Sequence, residues 1–394
     1  MNQRTSTDRE TLVTSAKQVA EKLRPFEAEH EQRRMLHPDA VQILRESNLF
    51  KVIQPSRIGG FEADISTLHA VGKELAYGCA ASSWVYMVTA AHTWILGMYP
   101  EVAQDELRAS DPDTILPGSL ASNGKAALVD GGFRVTGRWQ FGSGCDYGKW
   151  VIVGAMQSNS TRDDPKHVHV LVPAGDFEID DTWHTLGLRG TGSKDIIVND
   201  AFVPTHRAMP TGTLFDGSSP HARSHKTFCY QLPVLATLTF CLTAPTLALT
   251  QRIYDEFIKL TAIRKDRYDG STKAKKPSVQ IRVAESWAEI QSAELLIEEI
   301  ARIFDHAGEF ARPLDVQTRV ELKMRASYAV TLCRRAADRL FDAAGANAIY
   351  ERSPLLPLIQ NLHTMSHHAI VDFDNNAAAL GSNALGLGPG TILF

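Results

Sequence analysis

The hydrophobic period of this chain changes twice along its length, and that double change restricts the possible folds more than any motif does. From about residue 8 to 112 the period is helical. Leu12, Ala16, Val19, Ala20 and Leu23 recur at the three- and four-residue spacing of one helix face. Pro38 followed by Asp39 reads as a helix start, and Ser82-Ser83 opens a second helix through Trp84, Tyr86, Met87, His92 and Trp94 that has little polar surface. From 113 to 215 short β-branched runs take over: Thr114-Ile115-Leu116, Trp150-Val151-Ile152-Val153, His167 to Val172 and Asp195 to Val198. From about 225 long helical patterns return, over 227–264, 278–310, 315–346 and 354–386. The expected architecture is α+β: a helical domain over 1–112, a β-barrel or sandwich over 113–215, and a four-helix bundle over 216–394.

Composition removes several function classes. A chain of 394 residues with 44% hydrophobic content, 22% charged residues and a net charge of −4 has neither the basic excess of a nucleic-acid binder nor the composition of a disordered chain. Cys79, Cys145, Cys229, Cys241 and Cys333 are odd in number, widely spaced and form no Cys-x-x-Cys pair. That pattern fits free thiols in a reducing cytoplasm rather than a disulfide framework or a zinc site. Residues 1–10 lack the apolar segment of a signal peptide. The apolar stretch from Leu232 to Leu249 carries Pro233, Pro245 and several threonines, so it reads as a buried bundle helix rather than a membrane span.

The densest local signal is Gly137-Arg138-Trp139-Gln140-Phe141-Gly142-Ser143-Gly144-Cys145. It follows a hairpin whose centre, Asp130-Gly131-Gly132, suits the positive φ of a tight turn. Placed at a strand end, Trp139, Phe141, Ser143 and Gly144 could hold a flat ring; an ordinary hairpin with a flexible loop is the other reading of the same residues.

The order helical domain, β-domain, helical bundle, together with the phrase from Leu186-Gly187-Leu188-Arg189-Gly190-Thr191-Gly192-Ser193-Lys194 to Pro204, resembles the acyl-CoA dehydrogenase fold over essentially the whole chain. Within that superfamily the chain is similar to the two-component flavin-dependent monooxygenases. The resemblance implies an oxygenase component that receives reduced FAD or FMN from a separate flavin reductase, reacts it with O2 through a C4a-hydroperoxide, and hydroxylates a small aromatic substrate. It also implies a homotetramer. By the same resemblance His92 and Ser119 face the substrate, Ser143 lies near flavin N5, and His368 lies near the reacting oxygen. Trp84 and Trp94 are expected to add substrate-facing walls, and Trp139 and Phe141 to wall the flavin.

Residue chemistry separates the oxygenase from the dehydrogenase. A dehydrogenase needs a carboxylate to remove an α-proton, and the position where the family places its glutamate falls at or beside Ala369, with Asp372 about a turn away. A histidine, His368, stands there instead. Gln360-Asn361 occupies the place of the Arg-Asp pair of many relatives, which leaves the contacts of that pair open. An acyl-CoA dehydrogenase, or an N- or S-oxygenase on the same fold, is the alternative; a serine and histidine facing the substrate favour a phenol or indole-type ring. Arg264, with Lys265, Tyr268 and Gln280, resembles the region that reaches flavin phosphate or ribose, with a solvated basic loop as the other reading. His221, His225, His363 and His367 have no metal-ligand spacing, and His167 and His169 are expected on an exposed strand face.

Overall fold

Both changes of period correspond to changes of architecture. The structure, a computed structural model, describes residues 8–161, 165–266 and 270–391. The first helices are α1 (Arg9–Leu23), α2 (Glu27–Arg33), α3 (Pro38–Glu46), α4 (Ile65–Gly78), α5 (Ala80–Leu96) and α6 (Glu101–Ser110). Asp8 and Asp64 start α1 and α4 by accepting the backbone N–H of Thr11 and Thr67. The expected face of α1 is the one buried: Leu12, Ala16, Val19, Ala20 and Leu23. In α5 every residue except Val88 is buried, because the helix is covered on all sides.

Seven strands follow: β1 (Gly118–Val129), β2 (Gly132–Gly142), β3 (Trp150–Gln157), β4 (His167–Pro173), β5 (Glu178–Asp180), β6 (Lys194–Pro204) and β7 (Ala208–Pro210). They form one mixed sheet in the order β5-β6-β2-β1-β3-β4-β7. The predicted hairpin joins β1 to β2, with Gly131 at φ +75° supplying the left-handed turn residue. β1 and β3 are parallel; the other pairs are antiparallel. The sheet curls until β4 meets β6, enclosing Val135, Trp139, Val151, Val153, Val170, Ile196 and Val198. The expected exposed strand face for His169 is corrected here. Its ring is fully buried, with Nδ1 against Thr211 Oγ1 at 2.9 Å and Nε2 against the Leu120 carbonyl at 3.0 Å. A buried imidazole is tolerated when both nitrogens are paired.

The remaining helices are α7 (Thr211–Phe215), α8 (Val234–Ile263), α9 (Pro277–Glu309), α10 (Val316–Ala344), α11 (Leu355–Ser366) and α12 (Phe373–Ala384). α8 is long and apolar enough to cross a membrane, yet 94% of its most apolar window is buried inside the fold. Three of its hydroxyls are satisfied locally: Thr239, Thr246 and Thr250 each donate to the carbonyl four residues back. α4 packs on α8, so one apolar core runs through both helical regions. All five cysteines are buried and unpaired.

The last predicted helix, 354–386, is broken, which corrects the expectation of four continuous helices. Ser366 Oγ and His367 Nδ1 both donate to the His363 carbonyl, and His368 leaves the helical region at ψ 129°. Side chains compete here with the i→i−4 ladder. Asp372 then caps α12 by accepting the N–H of Asn375 at 2.8 Å. Without this break His368 would lie within a regular helix.

Candidate active site

Ser143 lies where β2 ends and turns towards α5. Gly144 makes that approach possible: at φ +75° a side chain is disfavoured, and a Cβ would lie 2.8 Å from Val85 Cγ1. Ser143 is 5% exposed. Its Oγ accepts the indole N–H of Trp84 at 3.3 Å and lies 2.7 Å from Ser193 Oγ. Ser193 Oγ in turn lies 2.7 Å from Thr191 Oγ1, and Thr191 donates to the Leu188 carbonyl at 2.8 Å. Two further contacts join the loop after β2 to the loop before β6 and the first residue of that strand: Gly144 N–H to Thr191 O at 3.2 Å, and Lys194 Nζ to Asp146 Oδ1 at 2.8 Å. The latter loop is also anchored from α11, where Asn361 Oδ1 accepts the Leu188 N–H at 2.6 Å. Gly187 lets the chains meet, since a Cβ there would fall 2.1 Å from the Gln360 carbonyl oxygen. The Gln360-Asn361 pair thus has a definite task on this chain.

Trp84 links Ser143 to the histidines. Its ring meets that of His368 edge-on, with centroids 5.8 Å apart. His368 Nδ1 accepts the Ile370 N–H at 3.3 Å, which places the ring proton of the neutral form on Nε2. Burial lowers its pKa to about 4. His92, 6% exposed on α5, has Nδ1 3.1 Å from the Leu116 carbonyl. A carbonyl accepts only, so Nδ1 carries the proton and Nε2 keeps a lone pair. Burial, with smaller contributions from His169 and His368, brings its pKa to about 4 against the opposing pull of that carbonyl. Half-buried Ser119 follows Leu116 by three residues, in β1 opposite Val153. Near neutral pH the two histidines are uncharged, one an acceptor at its free nitrogen and the other a donor. Such a pair can hold a ring O–H or N–H and present a proton to a neighbouring oxygen.

Several expected site residues lie elsewhere. Trp139 is in the core of the curled sheet, fully buried, its indole N–H donating to the Gly154 carbonyl at 2.7 Å, so it does not wall the flavin loop directly. Trp94 donates to the Cys229 carbonyl at 3.1 Å and packs in the main core; ten residues beyond Trp84 on α5, it projects on a different side from His92. Tyr86, bonded to the Leu49 carbonyl, is also core. Phe141 is on the surface: it is 62% exposed at φ +66°, with its ring edge-on to Trp183 at 6.1 Å. Arg264 donates to the Ala344 carbonyl and Gln280 to the Ala274 carbonyl at 3.0 Å. Both lie beyond the far end of α8, on the order of 35 Å along that helix from Thr239, which touches the His368 segment. Tyr268 lies outside the described residues. Sequence reasoning missed Ser193, Thr191 and the Asp146–Lys194 pair, and left the contacts of Asn361 open. The hydroxyls of Thr191 and Ser193 stood in the quoted phrase from Leu186 to Pro204, and their meeting with Ser143 requires the pairing of β2 with β6.

Among the described residues no His, Cys, Asp or Glu group could hold a metal ion. Residues 5–109 match the acyl-CoA dehydrogenase N-terminal domain and residues 240–373 the acyl-CoA dehydrogenase C-terminal domain. The chain belongs to the acyl-CoA dehydrogenase family. Within that family it stands with the flavin-dependent monooxygenases, as an oxygenase component rather than a dehydrogenase. It is 29% identical to the FADH(2)-dependent resorcinol hydroxylase, oxygenase component, of Rhizobium sp. (strain MTP-10005), over 96% of this chain and 95% of that one. The crystal structure of 3-HSA hydroxylase from Rhodococcus sp. RHA1 superposes with a TM-score of 0.91 at 25% identity, covering 98% of this chain and 100% of the other. XiaF from Streptomyces sp., in complex with FADH2 and glycerol, gives a TM-score of 0.91 at 26% identity, covering 97% of each chain.

Proposed function

We propose that this oxygenase component hydroxylates a phenol or indole-type ring, with reduced FAD or FMN delivered by a separate flavin reductase. The observation that carries this reading is the pairing of two neutral histidines of opposite tautomer, His92 and His368, beside a serine loop and with Ala369 where a dehydrogenase would need a carboxylate. When bound, reduced flavin supplies two electrons to O2, one oxygen atom entering the ring and the other leaving as water. Ser143 and the exposed Phe141 edge fit the flavin ring, since Ser143 offers a hydroxyl oxygen in a buried, nearly dry setting. His92 Nε2 accepts the O–H or N–H of the substrate and, with Ser119, orients the ring. His368 Nε2–H donates to the oxygen being transferred. Trp84, bonded to Ser143 and edge-on to His368, helps to exclude water from the space they share.

Arg264 and Gln280 are assigned to flavin phosphate or ribose in a neighbouring subunit, because their own subunit's serine and histidines lie at the other end of α8. A homotetramer is supported by large apolar side chains left exposed on the C-terminal helices and their connections, including Ile263, Ile281, Trp287, Leu295 and Ile349. The organisation into units 1–112, 113–215 and 216–394 and a cytoplasmic location complete the reading, the latter supported by five reduced buried thiols. Oxygen uptake with a reductase, NADH and a panel of phenols and indoles tests the assignment: product formation is expected only when reduced flavin is supplied. Reduction of the bound flavin by an acyl-CoA would overturn it.

A further inference from the structure

The four oxygens at the end of β2 allow the protons between them to be counted. Three short O···O contacts run in series: Ser143 to Ser193 at 2.7 Å, Ser193 to Thr191 at 2.7 Å, and Thr191 to the Leu188 carbonyl at 2.8 Å. Each contact of that length needs one proton between its oxygens, since two facing lone pairs repel. Exactly three hydroxyl protons would be available for three contacts, and the carbonyl brings none. Only one assignment fills them all: Thr191 donates to Leu188, Ser193 to Thr191, and Ser143 to Ser193. Trp84 enters from the other side as a donor to Ser143. Ser143 therefore has its proton committed and only a lone pair left for whatever lies against it. The chain is shielded from competing water, with Thr191 and Ser193 at 0% and 2% exposure.

We propose that Ser193 and Thr191 make this site selective for the redox state of its flavin, by holding Ser143 as a hydrogen-bond acceptor. The inference rests on the reading that Ser143 meets flavin N5. Reduced flavin carries N5–H, a donor, and matches an acceptor; oxidised flavin has a bare N5 lone pair there and does not. An oxygenase fed by a separate reductase gains from this, because spent flavin is not held in competition with incoming reduced flavin. Ser193 and Thr191 act through Ser143 and are positioning residues.

The test is equilibrium binding of reduced FMN and FAD under anaerobic conditions and of the oxidised forms in air, without turnover. Ser193→Ala frees the Ser143 proton to donate to oxidised N5, so the deletion of a hydroxyl should tighten oxidised-flavin binding by roughly two- to thirteenfold, the worth of one hydrogen bond, with reduced-flavin binding within about twofold of wild type. Thr191→Val should act in the same direction, since Ser193 can then donate back to Ser143. Ser193→Thr keeps the hydroxyl and should keep the wild-type ratio. In a Ser143→Ala background, adding Ser193→Ala should leave the ratio unmoved. Equal weakening of both redox states in Ser193→Ala and Thr191→Val, or an unchanged ratio in both, would overturn the proposal while leaving the oxygenase reading intact. Wild-type protein that binds flavin in neither state would overturn both.

Discussion

His92 and His368 are complementary: the first has its Nδ1 proton committed to the Leu116 carbonyl and offers a lone pair at Nε2, whereas the second accepts the Ile370 N–H at Nδ1 and offers a proton at Nε2. The two rings are near enough for a charge on one to disfavour a charge on the other. The roles proposed for the two rings can be tested separately.

Loss of the His368 donor should affect chemistry more than binding. His368→Ala is expected to lower product formed per reduced flavin oxidised, with a fall in the hydroxylation rate of about 10²–10⁴-fold. Asp372→Asn, which keeps a cap on α12, should cost less than tenfold, at the scale of one hydrogen bond. Rapid-mixing kinetics of the two variants side by side check this, and an essential Asp372 with a dispensable His368 would reverse the assignment.

Removing the His92 acceptor should affect binding of the aromatic ring. For His92→Ala the substrate dissociation constant should rise roughly tenfold, about one charge-free hydrogen bond's worth, with flavin affinity little changed. Isothermal titration with substrate and, separately, with reduced flavin distinguishes the two effects.

Acid should destabilise the fold in a defined window. Burial holds His30, His92, His169 and His368 at about 4 and His69 at about 3, all below their value near 6.5 in the unfolded chain. Between those values the unfolded state binds more protons, so stability is fully present above about pH 6.5 and falls as pH drops towards about 4. Urea midpoints measured from pH 7.5 down to 4.5 should decline across this range. A His69→Gln variant, able to keep a hydrogen bond to Thr243, should show a shallower decline.

The Asn361 anchor should prove structural with a catalytic consequence. Asn361→Leu leaves the buried Leu188 N–H without an acceptor, which costs about 1–3 kcal/mol and should appear as a lowered urea midpoint at unchanged slope. Since Leu188 also terminates the hydroxyl chain to Ser143, the ratio of reduced- to oxidised-flavin affinity should fall as well, in the direction expected for Thr191→Val.

Much of this molecule was legible in its sequence. The hydrophobic periods determined which segments are helix and which are strand, because burial on one face is written directly into residue spacing; Leu12 to Leu23 and the Asp130-Gly131 turn are cases in point. The same periods did not reveal that the helix over 354–386 breaks at His367 and His368, because the break depends on two side chains competing for the His363 carbonyl. Aromatic residues were the weakest guide: Trp84, Trp94 and Trp139 look alike in sequence and all are buried, and only the packing sets the first against Ser143 and His368 and the other two away from them. Ser143 could be singled out from its loop, but its partner Ser193 lies 50 residues away and is brought to it by the pairing of β2 with β6. The sequence determined the chemical groups and the local geometry that carries them. The tertiary structure alone decided which of them face one another, and hence the direction in which each proton points, because hydrogen-bond polarity is a property of contacts between distant segments and of no segment by itself.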